Sequence, residues 1–223
     1  MKASKHWPAF EAAFGLYTRN LFGRRFARLR VRGNVPAATT PHIIASQHVA
    51  WWDPLTLFLL ARDWFPPARH DAMMDARNLA KYPFFGWIGA FGVDRDSRAG
   101  AARSMRHALS LLETPKLRLV IFPQGEQESM DARPLKCAPG TSWLAMKGGA
   151  TFSPVALRYE FIEDERPEVF VSIGEPERVA RGAEKAAHDP IIAAITREAD
   201  RLRDDVYARN FGGFTTLAKR SRR

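Results

Sequence analysis

The 223-residue chain holds a single cysteine, Cys137, so an internal disulfide is excluded. That usage suits a reducing compartment, and the cytoplasm is the expected location. No run reaches the ~20 apolar residues that a membrane-spanning helix needs. The longest uncharged apolar stretch near the middle, Pro83 to Val93, is too short and carries three glycines. A secretory signal is not expected either, because Glu11 and Arg19 interrupt the apolar N-terminal positions. Acidic residues are scarce at both ends. Through Arg32, eight Lys/Arg face Glu11 alone, and the last five residues add four more cations. The net charge of +10 therefore sits on the ends, and the stretch between them is nearly neutral. Such ends suit an anionic membrane surface, here the inner face, touched peripherally rather than crossed. Nucleic acid is not the expected partner, since no recognition motif accompanies the charge.

A hydrophobic content of 46% is ordinary for a globular protein and large enough for one real core. Trp7, Phe10, Phe14, Tyr17 and Leu21 recur at helical spacing, with arginines following. Residues 1–33 are therefore expected to be a basic, amphipathic helical segment at the membrane, or a helix packed on the core. Residues 34–223 are expected to form the main domain. Short β-like runs at His42–Ala45, His70–Met74, Arg118–Phe122, Thr151–Leu157 and Val169–Ile173 alternate with helical patterns. The helical patterns cover Ala99–Leu112, Ser142–Lys147 and Ile191–Tyr207. That alternation predicts an α/β fold with a mainly parallel central sheet flanked by helices and its site at the strand C-terminal ends.

Chemistry concentrates where the first of those strands ends. His48 and Asp53 lie five positions apart in Ser46-Gln47-His48-Val49-Ala50-Trp51-Trp52-Asp53-Pro54. An imidazole titrating near neutrality and a carboxylate to orient it make an acid/base pair. Asp53 just before Pro54 also fits a simple helix cap. Two later stretches, around Arg95 and Phe122-Pro123-Gln124-Gly125, look like the rest of a site. No metal site is expected, because the histidines are scattered and Cys137 is alone.

These blocks, in this order, resemble the glycerolipid (lysophospholipid) acyltransferase family of the 1-acylglycerol-3-phosphate acyltransferase type. The family's His, four residues, Asp falls on His48 and Asp53. Its arginine block falls on Gly89 to Arg95, its Phe-Pro-Glu-Gly on Phe122 to Gly125, and its proline-led strand on Ser153 to Leu157. Lys136, Gly140 and Leu144-Ala145 also match its spacing. The resemblance covers about half the chain and implies one-step acyl transfer from a thioester, acyl-coenzyme A or acyl carrier protein, to a lipid hydroxyl. No bound cofactor is implied. His48 would be the general base and Asp53 its support, with backbone N–H groups near Gly125 on the oxyanion. An anionic acceptor such as a lysophospholipid would meet Arg95, whose planar fork suits phosphate. A salt bridge to Asp94 or Asp96 is the plainer role for it. Gln124, Gly125, Glu126, Arg133 and Lys136 would complete the substrate site, with Lys81 a further helper.

Two features depart from the family pattern. Gln124 stands where the family has Glu, and Glu126-Gln127 replace Thr-Arg. The missing arginine leaves room for another hydroxylated lipid, such as a glycosylated isoprenoid, or for a lipid binder without catalysis. Trp51-Trp52 adds a flat apolar wall beside His48.

Overall fold

The computed structural model describes residues 4–137, 140–180, 182 and 189–219. The basic tail at 220–223 lies outside the described residues. Chain order begins with α1 (Pro8–Arg25), β1 (Arg28–Arg32), β2 (His42–Ser46), α2 (Asp53–Asp63) and β3 (Arg69–Asp75). It continues through α3 (Ala76–Lys81), a 3-10 helix (Pro83–Ile88), β4 (Ala90–Val93), α4 (Arg98–Leu112) and β5 (Leu117–Ile121). Then come α5 (Gly140–Lys147), β6 (Thr151–Glu160), β7 (Glu168–Ile173), β8 (Glu177–Arg178), α6 (Pro190–Tyr207) and β9 (Thr215–Lys219).

The nine strands form one mixed sheet in the order β4-β3-β5-β2-β6-β7-β1-β9, with β8 beside β6. Pairings from β4 through β6 are parallel, as is β1 with β7; β6–β7, β6–β8 and β1–β9 are antiparallel. The fold is the expected α/β sheet, mainly parallel and flanked by helices. β2 is buried along its whole length because β5 and β6 cover both edges and helices cover both faces. Its alternation separates two apolar layers. Ile44, with Val120, Val155 and Leu157, packs under α2, where Leu57 and Leu60 meet Phe22 of α1. Ile43, with Leu119, Ile121 and Phe152, packs under α4, α5 and the start of α6 through Leu111, Leu144 and Ile191.

The expected 1–33 helical segment is corrected. The helix ends at Arg25, and residues 28–32 form a strand inside the sheet, in register with Val169–Ser172 of β7. A boundary at 33 therefore divides the sheet itself. The buried face of α1 also extends beyond the expected stripe, of which Phe14 and Leu21 pack on the core. Gly15, Thr18 and Phe22 face inward, while Tyr17 is 60% exposed. The cause is close approach: Arg62 of α2 lies over Gly15, where a Cβ would come within 2.5 Å of its Nε, and donates to the Glu11 carbonyl at 3.0 Å. Phe10 and Phe14 still pack inward, against Phe84, Phe85 and Trp87 of the 3-10 helix and Phe58 of α2.

Candidate active site

The parallel strands β2, β3, β4 and β5 all end at one edge of the sheet, so the loops that follow them converge there. His48 follows β2, Arg95 follows β4, and Phe122 to Gly125 follow β5. Asp53 opens α2 but does not cap it. Its carboxylate turns back and accepts the Val49 and Ala50 N–H groups at 2.6 and 2.9 Å. The same oxygen, Oδ2, lies 2.7 Å from His48 Nδ1. Asp53 is wholly buried, and the His48 side chain is 15% exposed. With Nδ1 held by the carboxylate, Nε2 is the nitrogen left to exchange a proton.

The other Asp53 oxygen accepts the Tyr159 hydroxyl at 2.7 Å, and Thr56 Oγ1 lies 3.2 Å from that hydroxyl. Burial, then the neighbouring Asp53 charge, pushes the Tyr159 phenol well above its ordinary value. Tyr159 is therefore a permanent donor to the carboxylate. The sequence reading missed it. The available signal was strand alternation, since Val155, Leu157 and Tyr159 share the face that points at α2, and a phenol on an apolar face needs a polar partner.

Both backbone groups of His48 are also held. Its N–H donates to Gln124 Oε1 at 2.7 Å, and its carbonyl accepts the Glu128 N–H at 3.0 Å. Gln124 Nε2 donates to Glu128 Oε2 at 2.8 Å. The imidazole lies 4.4 Å from the Phe122 ring, centroid to centroid.

His48 opens onto a cavity of about 670 Å³. Leu57, Phe58 and Ala61 of α2, Ala72 and Met74 of β3, and Phe85 and Ile88 of the 3-10 helix give it apolar walls. His70 and Asp75 both line it, so it runs along a strand segment of about 16 Å at ~3.3 Å per residue. Burial, then Arg118, holds the His70 imidazole down at about 4. His70 is thus a neutral part of the floor and not a second base.

Arg95, Lys81, Gly125 and Gln127 line the cavity. Arg95 is exposed and donates to the Gly125 carbonyl at 3.3 Å; among the described residues no carboxylate lies within ion-pair distance of it. Gly125 has φ +74°, a turn that favours glycine, and an added Cβ would lie 3.0 Å from Arg95 Nη1 and press on that side chain. Its N–H donates to the Phe122 carbonyl at 3.0 Å, which removes that amide as an oxyanion donor.

Four expected substrate residues lie off the lining. Gln124 is buried, with both amide ends engaged as described. Glu126 and Lys136 are exposed outside the cavity. Arg133 turns toward α6 and pairs with Asp200 at 2.6 Å, while donating to the Met130 and Ala132 carbonyls. Burial raises the Cys137 thiol to about 12, so it is no nucleophile near neutral pH.

A family model described as Acyltransferase matches residues 28–158. The chain is 28% identical, over 135 residues, to 1-acyl-sn-glycerol-3-phosphate acyltransferase of Saccharomyces cerevisiae (strain ATCC 204508 / S288c). That match covers 58% of this chain and 42% of the relative, so the chain spans about two fifths of that relative's length.

Proposed function

The chain belongs to the acyltransferase family, and from that premise we propose that it transfers a fatty acyl group from a thioester to a hydroxyl of a lysophospholipid such as 1-acylglycerol-3-phosphate. The observation that carries the reading is the His48–Asp53–Tyr159 chain opening onto an apolar cavity. An alcohol is a weak nucleophile near neutral pH and must lose its proton as it attacks. His48 Nε2 takes that proton while the oxygen bonds to the thioester carbonyl carbon. The tetrahedral intermediate then collapses, the carbon–sulfur bond breaks, and the imidazolium returns the proton to the departing sulfur. The products are an ester and a free thiol. Asp53 does not change protonation. Its charge, held by two N–H groups and the Tyr159 hydroxyl, stabilises the transient imidazolium.

The apolar walls suit the acyl chain of the donor. Arg95 and Lys81 at the same cavity suit an anionic headgroup. Gln127, neutral where the family carries arginine, favours one second reading, a non-phosphate lipid hydroxyl as acceptor. Both coenzyme A and acyl carrier protein are acidic, and either fits the basic N-terminal region as donor. Membrane association rests on exposed Trp7 and Trp87 at the start of α1, exposed Tyr17 within it, and Arg19, Arg24 and Arg25 along the same helix; no described helix is long and apolar enough to cross a bilayer. The expected site of action is the inner membrane face.

The test is free-thiol release from palmitoyl-coenzyme A by wild type and His48→Ala, with and without lysophosphatidic acid in anionic vesicles. Acceptor-dependent release by wild type alone supports the reading. Thiol release independent of every lipid acceptor, or equal release by His48→Ala, overturns it.

A further inference from the structure

Three hydrogen bonds close a ring around the His48 peptide. His48 N–H donates to Gln124 Oε1 at 2.7 Å, Gln124 Nε2 donates to Glu128 Oε2 at 2.8 Å, and Glu128 N–H donates to the His48 carbonyl at 3.0 Å. Every donor in the ring meets an acceptor. We propose that Gln124 and Glu128 are a positioning pair for the general base, and that the neutral residue at 124 is required by the carboxylate at 128.

The donor and acceptor inventory fixes the arrangement. An amide has one accepting end and one donating end; a carboxylate only accepts. Position 124 faces a backbone N–H on one side and the Glu128 carboxylate on the other. Gln satisfies both sides in one orientation, with its oxygen toward His48. Glu at 124 would set two carboxylates against each other across about the same 2.8 Å gap, and one of them would have to take up a proton. Gln124 is 9% exposed, so solvent does little to relieve that clash. The amide also lies off the cavity lining, which separates it from substrate and leaves it a role through His48.

The ring acts on the part of His48 that Asp53 does not reach. Asp53 holds the imidazole at Nδ1, whereas Gln124 and Glu128 hold the peptide from which the side chain projects. Displacing a catalytic group by ~1 Å can cost on the order of a hundredfold in rate. A loose ring therefore lowers turnover and leaves acceptor affinity almost unchanged.

The proposal rests on the acyl-transfer reading for its kinetic half only. The experiment compares wild type, Gln124→Glu, Glu128→Gln and the double exchange. It records thiol-release kcat, acceptor KM and thermal unfolding between pH 5.5 and 8. Gln124→Glu is expected to lose at least about tenfold in kcat at pH 8, with acceptor KM within about twofold. Its activity relative to wild type recovers as pH falls, when the facing carboxylates share a proton. Glu128→Gln is mild, because a carboxamide oxygen can still accept from Gln124. The double exchange restores kcat to within about threefold of wild type and removes the relative pH dependence. In it the carboxylate sits at position 124 and accepts from both the His48 N–H and the amide now at position 128. A double variant no better than Gln124→Glu overturns the pairing. A Gln124→Glu effect on acceptor KM rather than kcat also overturns it, by making Gln124 a substrate contact. If wild type shows no turnover with any donor, the functional reading fails by itself. The melting temperatures then decide the pair: restoration in the double exchange upholds it, and additive losses overturn it.

Discussion

Asp53→Asn removes one charge and almost nothing else. Four groups point at the carboxylate: Val49 N–H, Ala50 N–H and His48 Nδ1 at Oδ2, and the Tyr159 hydroxyl at Oδ1. An asparagine can satisfy all of them in one orientation. Its oxygen replaces Oδ2 and keeps the two amides and the ring. Its NH2 replaces Oδ1 and donates to the Tyr159 oxygen, whose own proton swings to Thr56 Oγ1, 3.2 Å away. The fold and the His48 tautomer should therefore survive, with the melting temperature shifted by only a few degrees. What disappears is the attraction between the carboxylate and the imidazolium. For unit charges ~4 Å apart at an effective dielectric of ~20, that is roughly 4 kcal/mol. At ~1.4 kcal/mol per decade, kcat should fall about a thousandfold. The assay is acceptor-dependent thiol release at saturating lipid, with unfolding followed in parallel. A natively stable Asp53→Asn protein that loses less than tenfold would refute Asp53 as the support of the base. Adding Tyr159→Phe leaves the asparagine NH2 without its partner, so the double variant should be markedly less stable than Asp53→Asn.

Tyr159→Phe alone deletes a hydrogen bond to a charged group, worth about 1.5–3 kcal/mol; it should lower the melting temperature and slow turnover about tenfold, and full activity would remove Tyr159 from the mechanism. Arg95→Ala should raise the acceptor KM several-fold more than the donor KM; equal effects on both would make Arg95 structural. The N-terminal segment carries a pH dependence of its own. His6 lies between Asp71 and Glu11, with Ser4 and Arg69 also on Asp71 and His70 next in sequence to it. The Asp71 hydrogen bond, opposed by burial and aided by Glu11, raises His6 above 6.5. Its tether is therefore complete below pH 6.5 and is lost as pH rises through the higher folded value. Burial works to raise Asp71, but hydrogen bonds from His6, Arg69 and Ser4 hold it at about 2, so its share is complete above pH 3.8 and is lost as pH falls through that lower value. The Lys5 and Trp7 amides, bonded to the Gly86 and Trp87 carbonyls, should lose exchange protection, after correction for intrinsic exchange rates, as pH rises from 6 to 9. Constant protection over that range would contradict the tether.

Local pattern carried the central strands and the His48/Asp53 pair. A buried β-branched run ending in an imidazole, with a carboxylate before a helix-opening proline, is a signal contained within a dozen residues. The carboxylate's direction was not contained there. Whether Asp53 caps its helix or turns back on Val49 and Ala50 depends on the loop conformation, and both choices fit the same letters. Arg133 turns from the cavity to a partner, Asp200, that lies 67 residues away on α6. Charge spacing cannot tell a substrate cation from one committed to a distant helix. The stripe on α1 was incomplete for another reason: besides Phe14 on Phe58, the contact with α2 runs through Gly15 under Arg62, and glycine carries no hydrophobic signal. β9, which closely follows a Gly-Gly turn, is legible only through its pairing with β1.

The separation of the parts of the site along the chain also sets a time at which the protein can begin to work. Gln124 follows His48 by 76 residues, and Tyr159 follows Asp53 by 106. At ~5–20 residues per second, a growing chain carries His48 for about 5–20 seconds before Tyr159 has been made. During that interval β6, which covers one edge of β2, has not been completed, and Asp53 lacks the Tyr159 hydroxyl that holds its second oxygen. A nascent chain thus holds an incomplete site until the sheet that frames His48 has closed around it.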